Sequence, residues 1–77
     1  MAEGDYAIGL NEVRIGIPVP RIAADLAIRA VGPRLGEALC VSGRLLNPEE
    51  ALEVGFVDEL VAVDGVVTAA LRWCEQV

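Results

Sequence analysis

One carboxylate in this chain is set where it could move protons. Residues 9–16 read Gly-Leu-Asn-Glu-Val-Arg-Ile-Gly, and they place Glu12 among Leu10, Val13, Ile15 and, just beyond, Ile17. A carboxylate held among apolar side chains is costly to ionise, which suits it to general-base work near neutral pH. Gly9, Gly16, Pro18 and Pro20 mark a bend where backbone can pass close to a ligand. The alternative is a solvated surface glutamate beside a loop, and pattern alone leaves both open.

No other grouping competes for chemistry. The chain has no histidine, so Ser/His/Asp and Cys/His sets are excluded. It shows no phosphate-cradling glycine loop and no metal-ligand spacing, and no metal is expected. Its two cysteines, Cys40 and Cys74, read as small buried hydrophobes. By elimination, carboxylate-based proton transfer is what the residues support.

The elements that must position Glu12 follow from local signals. Residues 1–8 read as a short extended entry with Tyr6 and Ile8 on one face. The bend at Gly16–Pro20 leads into a helix from Arg21 to Val31. There Arg21, Asp25 and Arg29 recur every four residues as a charged, solvated stripe. Ile22, Leu26 and Ala30 form another face, with Ala23, Ala27 and Val31 beside it. Gly32 suits a helix end and Pro33 the first turn of the next helix, which runs to about Val41 with Leu35, Ala38 and Leu39 as its apolar face. Ser42-Gly43 ends that helix, and 44–46 are a short connector. Asn47-Pro48-Glu49-Glu50 is a capping-box helix start, which accounts for both glutamates without chemistry. Gly55 closes that helix. Residues 56–63 read as extended, Asp64-Gly65 as a turn, and about 66–75 as a last helix with Val66, Ala70, Trp73 and Val77 on one side. Trp73 reads as packing or interface.

Composition bounds the partners. At 77 residues the chain is one small domain at most, yet 55 % of it is hydrophobic. So short a chain hides that much apolar surface poorly, so a homo-oligomer or a covering parent domain is expected. The net charge is −6, and the six cations are all arginine. An acidic balance opposes nucleic-acid phosphate and anionic membrane surfaces. It also disfavours tight binding of polyanionic ligands, although five arginines in the first 44 residues leave room for a local cationic face. Apolar runs are broken by charge before membrane-spanning length, and no basic-then-apolar leader is visible. The expectation is a cytoplasmic protein.

The stretch Ile8–Pro20 resembles the crotonase superfamily, the enoyl-CoA hydratases and isomerases. The resemblance continues through Val-Gly-Pro-Arg at 31–34 and Ser-Gly-Arg-Leu-Leu at 42–46. It ends with Pro-Glu-Glu-Ala-Leu-Glu-Val-Gly-Phe-Val-Asp-Glu-Leu-Val at 48–61, similar to the family's EEAL-x-x-G block. The blocks follow one another at the family's separation and cover nearly the whole chain. Leu-Asn-Glu resembles the Δ3,Δ2-enoyl-CoA isomerase branch more than the hydratases, where Pro-Glu is commoner. The resemblance implies an α/β crotonase-like fold, of which residues 1–77 are a partial domain, mostly helical with short extended segments. The N-terminal CoA-binding and oxyanion part and the C-terminal helices would lie outside it. It further implies Glu12 as the catalytic carboxylate, with Leu10, Asn11, Gly16 and Pro20 beside the substrate. The parent would shift or hydrate the double bond of an enoyl-CoA thioester in fatty-acid metabolism, as isomerase or lyase. The CoA thioester is then the substrate, with no separate cofactor. A non-catalytic, self-associating helical module is the competing expectation.

Overall fold

The computed structural model describes residues 1–76. Among the described residues four α-helices follow one another: α1 (Arg21–Val31), α2 (Pro33–Ser42), α3 (Pro48–Glu53) and α4 (Val66–Glu75). Two single 3-10 turns, Glu12–Ile15 and Val63–Gly65, precede α1 and α4. Val77, expected on the apolar side of α4, lies outside the described residues.

The helix ends fall where local chemistry stops the backbone. Gly32 (φ 93°) ends α1, its N–H reaching the Ile28 carbonyl at 2.8 Å, and Pro33 opens α2 at once. A single glycine between helices folds α2 back on α1. The contact is close because Gly36 is buried there. A Cβ at Gly36 would stand 2.8 Å from both Cα and Cγ1 of Ile28. Helix α3 starts with the full capping box: Asn47 Oδ1 accepts from the Glu50 N–H at 2.8 Å, and Glu50 Oε1 accepts from the Asn47 N–H at 3.1 Å. After α3 the Ala51 carbonyl accepts from the N–H groups of Phe56 (2.8 Å) and Val57 (3.2 Å), turning the chain back under the helix.

The core is small. Leu39, Leu46 and Ala51 are buried together, and Met1, Ile8, Val31, Leu35, Val54, Phe56 and Val57 pack around them. Ala51 has no exposed surface, so α3 approaches at a methyl group.

Several expectations need correction. The segments expected to be extended, 1–8 and 56–63, form no sheet among the described residues. They make two isolated bridges, Ala2 with Val61 (parallel) and Ile8 with Leu46 (antiparallel), and 56–58 are bends. An extended segment needs a neighbour along its whole length to pair its backbone groups, and here each finds one residue's worth. The turn expected at Asp64-Gly65 is present, as the 3-10 turn Val63–Gly65. In α1 the inward face is centred on Ala27, while Ile22 and Leu26 stand 73 % and 60 % exposed. Ala38 of α2 is also exposed. Cys40 is half-buried, and Cys74 is exposed rather than buried because its turn of α4 faces outward.

Candidate functional site

Glu12 opens the 3-10 turn that follows the Ile8 bridge, so it stands at the end of an extended run. The turn closes on Gly16 at φ 80°, a left-handed conformation that suits glycine. Its hydrogen bonds run from the Arg14 N–H to Asn11 O (2.9 Å), from the Gly16 N–H to Val13 O (3.4 Å) and from the Ile17 N–H to Glu12 O (3.1 Å). Pro20 then starts α1, its carbonyl accepting from the Ala24 N–H at 3.1 Å.

Glu12 is half-buried, but the apolar setting expected from its neighbours is not closed here. Val13, Ile15 and Ile17 are exposed. The ion pairs among the described residues are Arg21–Asp25 (3.9 Å), Arg44–Glu50 (2.7 Å) and Arg72–Glu59 (2.7 Å). Glu12 takes part in none of them.

The expected substrate-side residues do not form one cluster. Leu10 lines an open apolar depression of about 350 Å³ with Ala23, Leu26, Ala27, Ala30 and Phe56. Asn11, Gly16 and Pro20 are exposed along the turn and the entry to α1, outside the lining of that depression. Among the described residues no group of three or more His, Cys, Asp or Glu side chains could hold a metal ion.

Two features escape sequence reasoning. Glu59 is gripped by α4: Arg72 Nη2 donates to both carboxylate oxygens and Trp73 Nε1 to Oε2, each at 2.7 Å. The indole bond and the guanidinium hold its carboxyl below the usual carboxylate range. Its partners lie more than one helix length away in sequence, so no local period reveals them. Trp73 is thus a hydrogen-bond donor with a partly exposed ring. The other feature is the stretch 42–46, which reads as a helix end at Ser42-Gly43 and a short connector at 44–46. Arg14 Nε donates to Ser42 O at 3.1 Å, which ties the Glu12 turn to the end of α2.

Comparison with known proteins now bears on this geometry. The family model described as enoyl-CoA hydratase/isomerase matches residues 1–77. The chain belongs to that family. Among its relatives, mitochondrial enoyl-CoA delta isomerase 1 of Mus musculus is 43 % identical over 65 residues, covering 84 % of this chain and 22 % of the relative. The probable enoyl-CoA hydratase EchA17 of Mycobacterium tuberculosis is 44 % identical over 68 residues, covering 88 % of this chain and 26 % of the relative. The crystal structure of human mitochondrial delta3-delta2-enoyl-CoA isomerase superposes with a TM-score of 0.84 at 38 % identity, over 99 % of this chain and 30 % of that one. The helices and turns described above are thus those that the crotonase fold carries in this segment. The chain spans about a quarter of the length of the curated relatives it matches.

Proposed function

We propose that this chain carries the proton-transferring carboxylate of an enoyl-CoA isomerase, and that the carboxylate is Glu12. The observation that supports this reading is Glu12 itself, a half-buried glutamate without an ionic partner on a turn fixed at both ends. Glu12 takes a proton from C2 of a 3-enoyl-CoA and returns it at C4, so that the double bond moves from C3–C4 to C2–C3. Negative charge grows on the thioester oxygen during this shuttle, and preorganised donors must meet it there. In this reading those donors come from the parts of the relatives' fold that this segment does not span. The acyl-CoA thioester is the substrate and no separate cofactor takes part. Leu10 and the apolar depression beside it suit contact with hydrocarbon better than with phosphate.

The test grafts residues 1–77 in place of the matching segment of the mouse isomerase. The graft is expected to convert 3-enoyl-CoA to 2-enoyl-CoA, and Glu12→Gln to lower kcat by about 10²–10⁴-fold. An undiminished Glu12→Gln variant would refute the assignment. Water addition to 2-enoyl-CoA in place of isomerisation would move the reading to the hydratase branch.

A second reading, self-association of the chain, is favoured by its surface. The accessible area is 5472 Å² for 8.1 kDa, against about 4,500 Å² for a compact monomer of that mass. The radius of gyration, 13.3 Å, likewise exceeds the roughly 11.5 Å of a compact chain this long. The surplus of roughly 1,000 Å² matches what one partner contributes to a standard interface, about 800 Å². A second copy covering Ile22 and Leu26 of α1 or Val67 and Leu71 of α4 would remove it. Sedimentation over a concentration series checks this, and a concentration-independent monomer defeats it.

A further inference from the structure

We propose that the strip 42–46, the last residue of α2 and the connector that leads toward α3, is the device that aims Glu12. The inference rests on the reading of Glu12 as the proton-transfer group. The chain on either side of Glu12 lies antiparallel along these five residues and touches them at three places.

Upstream of Glu12, Ile8 and Leu46 exchange both backbone hydrogen bonds, at 2.8 and 2.7 Å. Next to that pair, Gly9 lies so close that a Cβ there would stand 2.7 Å from Arg44 O and 3.1 Å from Leu45 Cδ2. Downstream of Glu12, Arg14 Nε donates to Ser42 O, and the stem of Arg14 and the methyl of Val13 rest on Gly43. A Cβ at Gly43 would stand 2.8 Å from Arg14 Cγ and 3.1 Å from Val13 Cγ2. Gly43 also has φ 65°, which an L side chain tolerates poorly. Two requirements therefore converge on glycine at this position, one from the end of α2 and one from the docked turn.

The segment is itself held from behind. Arg44 Nη2 donates to Glu50 Oε2 at 2.7 Å, and Glu50 belongs to the capping box of α3. The Arg44 N–H also reaches Ser42 Oγ at 3.2 Å. Glu12 is thus bracketed by contacts two residues or fewer downstream and three or four upstream, all to one braced strip of chain. Among the described residues no side-chain ion pair fixes the carboxylate, so its direction is set by the backbone that carries it. A displacement of about 1 Å at a reacting group can cost on the order of 10²-fold in rate.

The test uses the whole 77-residue chain in the grafted isomerase described above. Gly43→Ala should lower kcat by about 10–100-fold with KM little changed, because the turn must lift off the added methyl. Arg14→Met keeps the aliphatic stem and loses the donor, and should lower kcat by about two- to tenfold. Gly32→Ala is the control: it strains a glycine at positive φ with open space around it, far from Glu12 along the chain. It should lower the melting temperature and leave kcat unchanged. Gly43→Ala combined with Arg14→Ala should regain part of the lost kcat, since the clashing Cγ is gone. If Gly43→Ala does not fold, Arg14→Met decides. Unchanged kcat in Arg14→Met or Gly43→Ala beside an inactive Glu12→Gln overturns this inference alone. An equal fall of kcat in Gly32→Ala does the same, since the effect would then follow stability. An active Glu12→Gln variant overturns the reading of Glu12 and this inference with it.

Discussion

Replacing Gly36 by alanine sets two effects of opposite sign against each other. Alanine favours a helix over glycine by roughly 0.8–1.0 kcal/mol, so propensity alone makes Gly36→Ala stabilising. The packing argues otherwise. The added Cβ would lie 2.8 Å from Ile28 Cα, 2.8 Å from Ile28 Cγ1 and 3.1 Å from Ile28 N. Two of these are backbone atoms of α1, so no rotamer change relieves them and the helix must shift as a body. Overpacking of this kind costs about 1–3 kcal/mol. With backbone in the way the upper half of that range applies, and about 1–2 kcal/mol of net destabilisation remains. For a chain of this size the melting temperature should fall by roughly 4–16 °C. The assay is thermal unfolding by far-ultraviolet circular dichroism at one fixed protein concentration, because self-association would make the midpoint depend on concentration. Ala38→Gly, at an exposed position of the same helix, calibrates propensity alone. A Gly36→Ala variant that gains about what Ala38→Gly loses would refute the close crossing of α1 and α2.

Other outcomes follow from single contacts. Asn47→Ala removes the capping acceptor of α3 and should cost about 1 kcal/mol, read as a lower unfolding midpoint, whereas Asn47→Asp should be nearly neutral. The carboxyl of Glu59 is held below its ordinary range by Trp73 and Arg72. Its contribution is therefore complete at pH above the ordinary carboxylate value and is lost as pH falls through the depressed one. An acid titration followed by tryptophan emission should show that step, and Glu59→Gln should abolish it. The 77-residue polypeptide by itself should show no turnover of 3-enoyl-CoA or 2-enoyl-CoA. A placed base gives about 10²–10⁴-fold, well short of the 10⁶-fold or more, roughly, that enzymes reach. Measurable turnover that disappears in Glu12→Gln would show the opposite.

Helix boundaries were legible because they are set by residues next to one another. Arg21–Val31 and Val66–Glu75 have the expected limits, and α2 runs one residue beyond the expected Val41. Gly32-Pro33 and Asn47-Pro48-Glu49-Glu50 act through the backbone of one turn, and a sequence displays such signals directly. Family membership was legible for a similar reason, since it rests on ordered local blocks. The side on which each helix is buried was less legible. The periodicity of α1 marks two apolar faces, and only contact with α2 selects the one around Ala27 and leaves Ile22 and Leu26 outside. The role of Ser42–Leu46 was not legible at all. Gly43 ends a helix in any fold, and nothing in its neighbours tells that Arg14 will lie across it. The grip on Glu59 was hidden likewise, because Arg72 and Trp73 become its neighbours only when α4 packs back.

The single glycine between α1 and α2 bears on the order of folding. The two helices meet across one residue, so their contact closes almost no loop and loses little chain entropy. The pairing of Glu3 N–H with Val61 O and of Val61 N–H with Met1 O closes a loop that holds α1, α2 and α3. Such distant pairs reward the chain only after most of it is ordered. The helical hairpin is therefore expected to form first and the entry segment to dock last. On unfolding the same segment should release first. Native-state hydrogen exchange should show the amides of Glu3 and Val61 opening well before those of Gly32 and Gly36, and the reverse order would refute it. The Glu12 turn, reached through Ile8, then becomes ordered only in the closing stage, so the backbone that carries the Glu12 carboxylate is set in place after the helices.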